Sequence, residues 1–404
     1  MSELGRLLAD LSPQQLEILQ RRLGPAAPGA VIERRSRDSN RFPLSVTQQR
    51  FWLFEQLRPG DIAYNVQVGL GLHGPLDAGA LAGSLARVVA RHEILRTCYR
   101  GLGEEAVQVV LPRQAPAMPL LDLGRLPAAG QSAELARLVR RDVRRPFDLR
   151  QGPVLRATLV RLAPEHHLLV VCQHHIATDA WSAGVLLREV AALYAARRAG
   201  RPGFGVLPEL PCQYVDFAAW QQRRLATPQV QAELEYWRRQ LAGLVVPELP
   251  ADRPRRQHSP AAEDVAASRD RGGRYPLAVP RPVVDALRAV PGAAGEARPT
   301  LFMALLAALG ALLSRLTGER DVAVGSAIAN RRPRQLEALI GPFLNTLVLR
   351  LDTGGDPSFG ELVARAQRVA MAAYGHQEVP FEQLLAELQP PGEPGGAARA
   401  LWRR

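Results

Sequence analysis

The stretch His174-His175-Ile176-Ala177-Thr178-Asp179-Ala180-Trp181-Ser182 is the most informative part of this sequence. It follows an apolar run, residues 168–171, which predicts a buried strand. A strand that ends in two histidines, with an aspartate four residues beyond the second, can aim an imidazole into a cleft. Such an arrangement is sufficient for proton transfer near neutral pH. A purely structural histidine pair above a structural aspartate is the alternative that this stretch leaves open.

The geometry of a strand and the absence of other motifs argue against two types of site at these histidines, a zinc site and a hydrolase triad. Neighbouring residues of a strand point to opposite faces, so only one of His174 and His175 can face a cleft. The same alternation disfavours a shared zinc ion, and we predict no metal site. A Ser-His-Asp hydrolase is disfavoured because the sequence has no Gly-x-Ser-x-Gly elbow. A second histidine pair, His166-His167, is predicted to lie in a hairpin turn and to face solvent.

Helices and strands alternate on both sides of this stretch. Residues 154–162 and 167–173 are predicted to form a β-hairpin, and residues 80–91 and 181–198 are predicted helices. The second half of the chain repeats this alternation, with predicted helices over 282–290, 300–316 and 359–375 and predicted strands over 321–327 and 347–351. Thr300 is placed to cap its helix. This alternation predicts an α/β or α+β protein.

The length of 404 residues exceeds a typical single core and favours two lobes. Residues 1–40 are predicted to form a short helix (12–23) and a linker. Residues 41–205 form the predicted N-terminal lobe, which carries the histidine stretch, and residues 206–390 form the predicted C-terminal lobe. Residues 391–404 show no core pattern and are a predicted tail.

The composition restricts the partners and the location of the protein. All 51 basic residues are arginines, and the net charge is +12. The arginines are spread along the chain and do not alternate with aromatic residues, which argues against nucleic-acid binding, although a basic surface could steer an acidic protein partner. The longest apolar stretch, residues 301–313, is too short to span a membrane. Three unpaired cysteines and no apparent signal segment favour the cytoplasm.

Six segments, in this order, resemble the motifs of one known family, the condensation domains of nonribosomal peptide synthetases. The segments are Pro43–Trp52, Arg91–Thr97, His174–Ser182, Tyr214–Trp220, Ile340–Leu347 and His376–Glu382. The resemblance covers about residues 40–390. It implies the chloramphenicol-acetyltransferase-like fold of the CoA-dependent acyltransferase superfamily, with two lobes forming a V around a central tunnel. Ala63-Tyr64-Asn65 and the histidine core are similar to the LCL subtype, elongation domains that join two L-configured residues.

The resemblance implies formation of an amide (peptide) bond. An upstream peptidyl carrier protein would present a donor acyl or peptidyl thioester, and a downstream carrier would present an aminoacyl thioester. Both substrates would be carried on phosphopantetheine, an adjacent adenylation domain would load them, and no cofactor would be bound directly. An ester-forming acyltransferase with a hydroxyl acceptor is an alternative. A degenerate condensation-like domain that only docks other proteins is a second alternative.

The resemblance also implies roles for individual residues. His175 is the expected catalytic histidine, acting either as a base or by positioning the amine, and His174 is expected to point away and to support packing. Asp179 is expected to be structural and to form a salt bridge with an arginine. Arg91 is the first candidate for that arginine and Arg331 is the second.

Asn345, Trp181 and Ser182 are expected to line the cleft.

The sequence departs from the family pattern at Ala180, where the family has glycine. A positive φ there would make alanine costly, whereas a negative φ would leave only an extra methyl that narrows the tunnel. A second departure follows residue 390, where residues 391–396 differ from the family motif. This departure predicts a truncated product or a fragment of a longer synthetase, with exposed apolar surface on the second lobe.

Overall fold

The computed structural model describes residues 31–101, 105–113, 115–201, 205–245, 249–250, 275–292 and 298–387. The described residues fall into two compact units. The N-terminal unit contains residues 28–227 together with 329–344, and the C-terminal unit contains residues 228–328 together with those from 345 onward. The predicted helix at 12–23 and the predicted tail at 391–404 lie outside the described residues.

This division differs from the predicted lobe boundary at residue 205. The helix Tyr214–Leu225 lies on the N-terminal side because Tyr214 and Phe217 are buried in the core of that unit. The segment 329–344 also joins that unit, and its buried residues Leu336 and Phe343 belong to the same core. A segment distant in sequence therefore takes part in building the unit that contains His175.

The main sheet of the N-terminal unit has four strands in the order β2-β7-β6-β5. The strands are β2 (Asn65–His73), β5 (Leu120–Asp122), β6 (Leu155–Ala163) and β7 (His166–His174). Strand β7 pairs antiparallel with both of its neighbours, which confirms the predicted hairpin. The prediction that His166 and His167 both face solvent is wrong for His167, which is only 6% exposed. Strand β7 already begins at His166, so the next side chain along it faces inward.

Among the described residues, a smaller sheet and five α-helices complete the N-terminal unit. The strands of this sheet, in spatial order, are β1 (Arg41–Pro43), β4 (Val107–Val110) and β3 (Thr97–Arg100). The helices are α1 (Val46–Leu57), α2 (Ala78–Arg91), α3 (Ala128–Val143), α4 (Ala180–Arg198) and α5 (Tyr214–Leu225). Side chains of Ser45, Asp77 and Asp179 cap helices α1, α2 and α4. These caps satisfy backbone N–H groups that a helix leaves free at its start.

The C-terminal unit contains an antiparallel pair of strands, β8 (Asp321–Ile328) and β9 (Asn345–Asp352). Its described helices are α6 (Pro228–Leu241), α7 (Arg281–Ala289), α8 (Leu301–Thr317), α9 (Phe359–Gly375) and α10 (Phe381–Glu387). Thr300 caps helix α8, as predicted. Among the described helices, none is long and apolar enough to cross a membrane.

Helix α8 has two apolar faces with different environments. One face is buried, and it packs so closely that a Cβ atom at Gly310 would lie 2.4 Å from a methyl carbon of Leu351. The other face leaves five large apolar side chains between 39% and 54% exposed: Phe302, Leu305, Leu309, Leu312 and Leu316. Among the described residues, this face of helix α8 thus forms exposed apolar surface.

Candidate active site

The two histidines of the motif lie at a strand-to-helix transition. Strand β7 ends at His174, residues His175–Ala177 form a single 3₁₀ turn, and Asp179 then caps helix α4. The backbone N–H of His175 donates to the carbonyl oxygen of Tyr64 at 2.9 Å, just before β2 begins. This bond extends the pairing of β2 and β7 by one residue, so the position of His175 is set by the sheet.

His174 is buried and surrounded by aromatic rings. Its ring makes edge contacts with Phe51, Tyr64 and Phe147 at centroid distances of 6.1–6.4 Å. Its Nδ1 accepts a hydrogen bond from the N–H of Ile176 at 3.1 Å. Burial lowers the pKa of His174 to about 3, and the neighbouring His175 adds to this effect. The ring is therefore neutral near pH 7 with its proton on Nε2, and its contacts are those of a packing residue.

His175 is half-buried and stacks on Phe51, with ring centroids 5.2 Å apart and an interplanar angle of 25°. Its Nδ1 atom is buried and has no hydrogen-bond partner among the described residues. Burial lowers the pKa of His175, the backbone carbonyl groups of His175 and Thr178 and the charge of Asp179 oppose this effect, and the charge of Arg50 lowers the pKa further. A lowered pKa keeps the imidazole neutral near pH 7 and able to accept a proton.

Asp179 is fully engaged by neighbouring donors. Its Oδ1 accepts from the backbone N–H of Ser182 at 2.7 Å and from the Ser182 hydroxyl at 2.6 Å. Its Oδ2 accepts from the backbone N–H of Phe343 at 3.1 Å. Both oxygens also accept from Arg331 Nη2, at 3.0 and 3.2 Å. A carboxylate with these partners holds structure together, and its oxygens have little capacity left to accept a substrate proton.

Arg331, the second arginine candidate, is the one that reaches Asp179. The side chains of this pair are 3% and 5% exposed. Arg331 Nη1 donates to the carbonyl oxygens of Leu336 and Leu339 at 2.6 and 2.7 Å, so the same guanidinium shapes the loop on which it lies. Burial lowers the pKa of Arg331, and Asp179 opposes this effect.

Arg91, the first candidate, does not pair with Asp179. Its Nε lies 3.1 Å from Glu189 Oε1 and its Nη2 donates to the carbonyl oxygen of Pro208. The other oxygen of Glu189 contacts Nε2 of the buried His92 at 2.8 Å. Sequence reasoning did not identify Glu189 as the partner of Arg91, because Glu189 lies on helix α4, ten residues beyond Asp179 and outside the motif.

The three residues after Asp179 have different environments. Ala180 is exposed and is the first residue of helix α4, so its backbone is right-handed and the added methyl group causes no strain. Trp181 is 45% exposed, and its Nε1 donates to the carbonyl oxygen of Glu337 at 3.0 Å. The expectation that Ser182 lines a cleft is wrong. Its side chain is fully buried and bonded to Asp179, because the third residue of a helix faces the capping side chain.

Asn345 lies in the C-terminal unit at the start of β9 and is 5% exposed. Its Nδ2 donates to the carbonyl oxygens of Gln377 and Val379, at 3.0 and 2.8 Å. Its Oδ1 accepts from the backbone N–H groups of Thr346 and Phe381, at 2.8 and 3.0 Å. All four partners are backbone groups of its own unit, so the amide joins the fifth motif to the sixth.

Sequence reasoning missed two supports of the site. Phe51 belongs to the first motif, but nothing in that motif indicates that its ring stacks on His175. Gly341 belongs to the fifth motif, and its backbone N–H donates to the Ser182 hydroxyl oxygen at 3.0 Å. A Cβ atom at Gly341 would lie 2.0 Å from Cδ2 of Tyr214. Phe51 and Gly341 both lie inside motifs that the sequence analysis identified, so their positions could have been singled out. Their contacts with His175 and Ser182 depend on the fold.

Comparison with known proteins identifies the family. A family model for the condensation domain matches residues 38–396. The chain belongs to the condensation domain family. Members of this family are acyltransferases that form amide bonds in nonribosomal peptide biosynthesis. The mixed helices and sheets of the chain agree with the chloramphenicol-acetyltransferase-like fold of this family.

One curated relative and two solved structures illustrate this membership. The chain is 38% identical over 391 residues to phosphinothricin tripeptide synthetase PhsC of Streptomyces viridochromogenes, a match that covers 96% of this chain and 35% of PhsC. SgcC5 of Streptomyces globisporus is 31% identical with a TM-score of 0.69, covering 88% of this chain and 78% of SgcC5. The X-domain from teicoplanin biosynthesis, solved in complex with OxyB, is 30% identical with a TM-score of 0.71, covering 90% of this chain and 76% of that one.

The chain spans about a third of the length of PhsC. The described residues contain no cluster of three or more His, Cys, Asp and Glu side chains that could hold a metal ion.

Proposed function

We propose that this chain catalyses peptide-bond formation with His175 as the proton-transfer group. The observation that carries the proposal is the environment of this one imidazole. It is half-buried, its pKa is lowered by burial, and its Nδ1 is closed off, which leaves Nε2 as the nitrogen that can meet a substrate. A neutral imidazole in this position can accept the proton of an acceptor amine.

The proposed reaction balances without an additional reagent. The acceptor amine attacks the carbonyl carbon of the donor thioester, a C–N bond forms, and the C–S bond breaks. His175 Nε2 accepts the proton that the amine loses and delivers it to the departing thiolate. Asp179 takes no part in the transfer, because its oxygens are occupied by Ser182, Phe343 and Arg331.

The partners in this proposal are two carrier proteins. Relatives such as PhsC are synthetases that work with carrier proteins, consistent with substrates held as phosphopantetheine thioesters. We propose an upstream carrier for the donor, a downstream carrier for the acceptor and an adjacent adenylation domain that loads them, all in the cytoplasm.

The test combines the chain with loaded donor and acceptor carriers and follows the peptidyl product by mass spectrometry. His175→Ala should lower the rate by a factor of about 100 or more, as expected for a positioned proton-transfer group. His73→Ala is the matched control, since His73 is an exposed histidine of the same sheet. A His175→Ala variant that retains the full rate would contradict the assignment. A product formed only from a hydroxyacyl acceptor would identify the ester-forming alternative.

A non-catalytic docking role is the second candidate. One observation favours it, namely the 30% identity to the X-domain that was solved in complex with OxyB. The same assay separates the two functions, because a docking domain would bind a protein partner while forming neither amide nor ester. The unstrained Ala180 favours catalysis, since the departure from glycine leaves the backbone of the motif undistorted.

A further inference from the structure

We infer that Phe51 is a positioning residue that fixes the plane of the His175 ring. This inference rests on the proposed function for its catalytic consequence and on geometry for its physical content. Phe51 is 2% exposed, so its side chain is closed to substrate and can influence a reaction only through its neighbours. The imidazole of His175 is one of those neighbours, stacked at 5.2 Å and 25°.

The ring of Phe51 is itself held from several directions. Tyr64 packs its ring edge-on against Phe51 at 4.8 Å, and His174 does so at 6.4 Å. The guanidinium carbon of Arg50 lies 4.9 Å from the centroid of the Phe51 ring. A ring restrained by these contacts is a rigid platform, in contrast to a flexible aliphatic side chain of similar volume.

The plane of the imidazole matters because the lone pair of a ring nitrogen lies in that plane. Proton transfer requires the donor to approach along this direction, within hydrogen-bond distance. The backbone hydrogen bond from His175 to Tyr64 fixes the position of the His175 backbone, but it leaves rotation about the side-chain bonds free. Stacking on Phe51 restricts that rotation, and the burial of Nδ1 is consistent with one preferred orientation.

The experiment compares two variants: Phe51→Leu, which removes the aromatic ring, and Phe51→Tyr, which keeps one. Phe51→Leu should lower kcat by about 2- to 13-fold, the range equivalent to ~0.5–1.5 kcal/mol for an aromatic pair. KM should stay unchanged, because Phe51 is buried, and Phe51→Tyr should recover most of the rate. Phe54→Leu is the matched control, since Phe54 lies on the same helix with its ring against Tyr64. A Phe51→Leu variant that keeps kcat within twofold would overturn the inference.

A second measurement is independent of activity. Nuclear Overhauser contacts and three-bond couplings of the His175 side chain should show one ring orientation in the unmodified chain and in Phe51→Tyr, and averaged signals in Phe51→Leu. If the chain forms no product at all, the proposed function fails and this measurement still decides the positioning. Unchanged His175 signals in Phe51→Leu would overturn the inference, whereas averaged signals would support it.

Discussion

Removing the carboxylate of Asp179 should destabilise the N-terminal unit more than it affects the chemistry at His175. In Asp179→Ala the guanidinium of Arg331 stays buried, with a side chain only 3% exposed, and loses its anionic partner. The start of helix α4 loses the acceptor that caps it at Ser182, and the N–H of Phe343 loses its acceptor as well. The expected result is a large fall in the free energy of unfolding.

The magnitude follows from two contributions. Breaking a buried ion pair by removing one partner costs about 3–5 kcal/mol, because an uncompensated charge remains in the interior. Loss of a helix N-cap costs about 1 kcal/mol. Asp179→Ala should therefore lose about 4–6 kcal/mol in total. Asp179→Asn keeps an oxygen that can cap helix α4, so it should lose less, about 3–5 kcal/mol from the ion pair alone.

Urea denaturation followed by far-UV circular dichroism measures this loss. A double-mutant cycle with Arg331→Met should give a coupling energy of about 2–3 kcal/mol between the two side chains. Glu134→Ala removes an exposed ion pair on helix α3 and should leave the transition midpoint unchanged. An Asp179→Ala variant with normal stability and no activity would refute the structural assignment and indicate a direct catalytic role.

Two further predictions concern the surroundings of the site. Burial lowers the pKa of His174 to about 3 in the folded chain. Below about pH 6.5, His174 therefore binds a proton in the unfolded chain but stays neutral in the folded chain. The free energy of unfolding should thus be independent of His174 above that pH and fall by up to about 1.4 kcal/mol per pH unit as the pH drops towards 3. His174→Asn, whose amide oxygen can accept from Ile176, should show a shallower fall in denaturation series, and equal slopes would contradict this account. Gly341→Ala should cost about 3 kcal/mol by forcing a methyl group into the buried ring of Tyr214, whereas Gly360→Ala, with open space around it, should leave the melting temperature nearly unchanged.

Local sequence predicted nine helices and strands within two residues of their observed bounds, whereas β2 and helices α1, α3, α5 and α6 were not predicted. The hairpin of β6 and β7 was predicted over 154–173 and spans 155–174, and helix α9 was predicted with its observed bounds. The cap of helix α8 at Thr300 was also predicted. These features depend on hydrophobic periodicity and on capping residues, both of which act between neighbours in sequence.

The ordered motifs determined the family and the histidine of interest, but not the partners within the site. Arg91 and Arg331 have the same chemistry, and only the path of the chain places Arg331, 152 residues away, on Asp179. That placement depends on residues 329–344 joining the N-terminal unit, which no local pattern indicates. The stacking of Phe51 on His175 and the burial of Ser182 have the same origin. The sequence by itself specifies which groups are present, whereas the packing of distant segments decides which of them meet, because burial and charge pairing are properties of the assembled core.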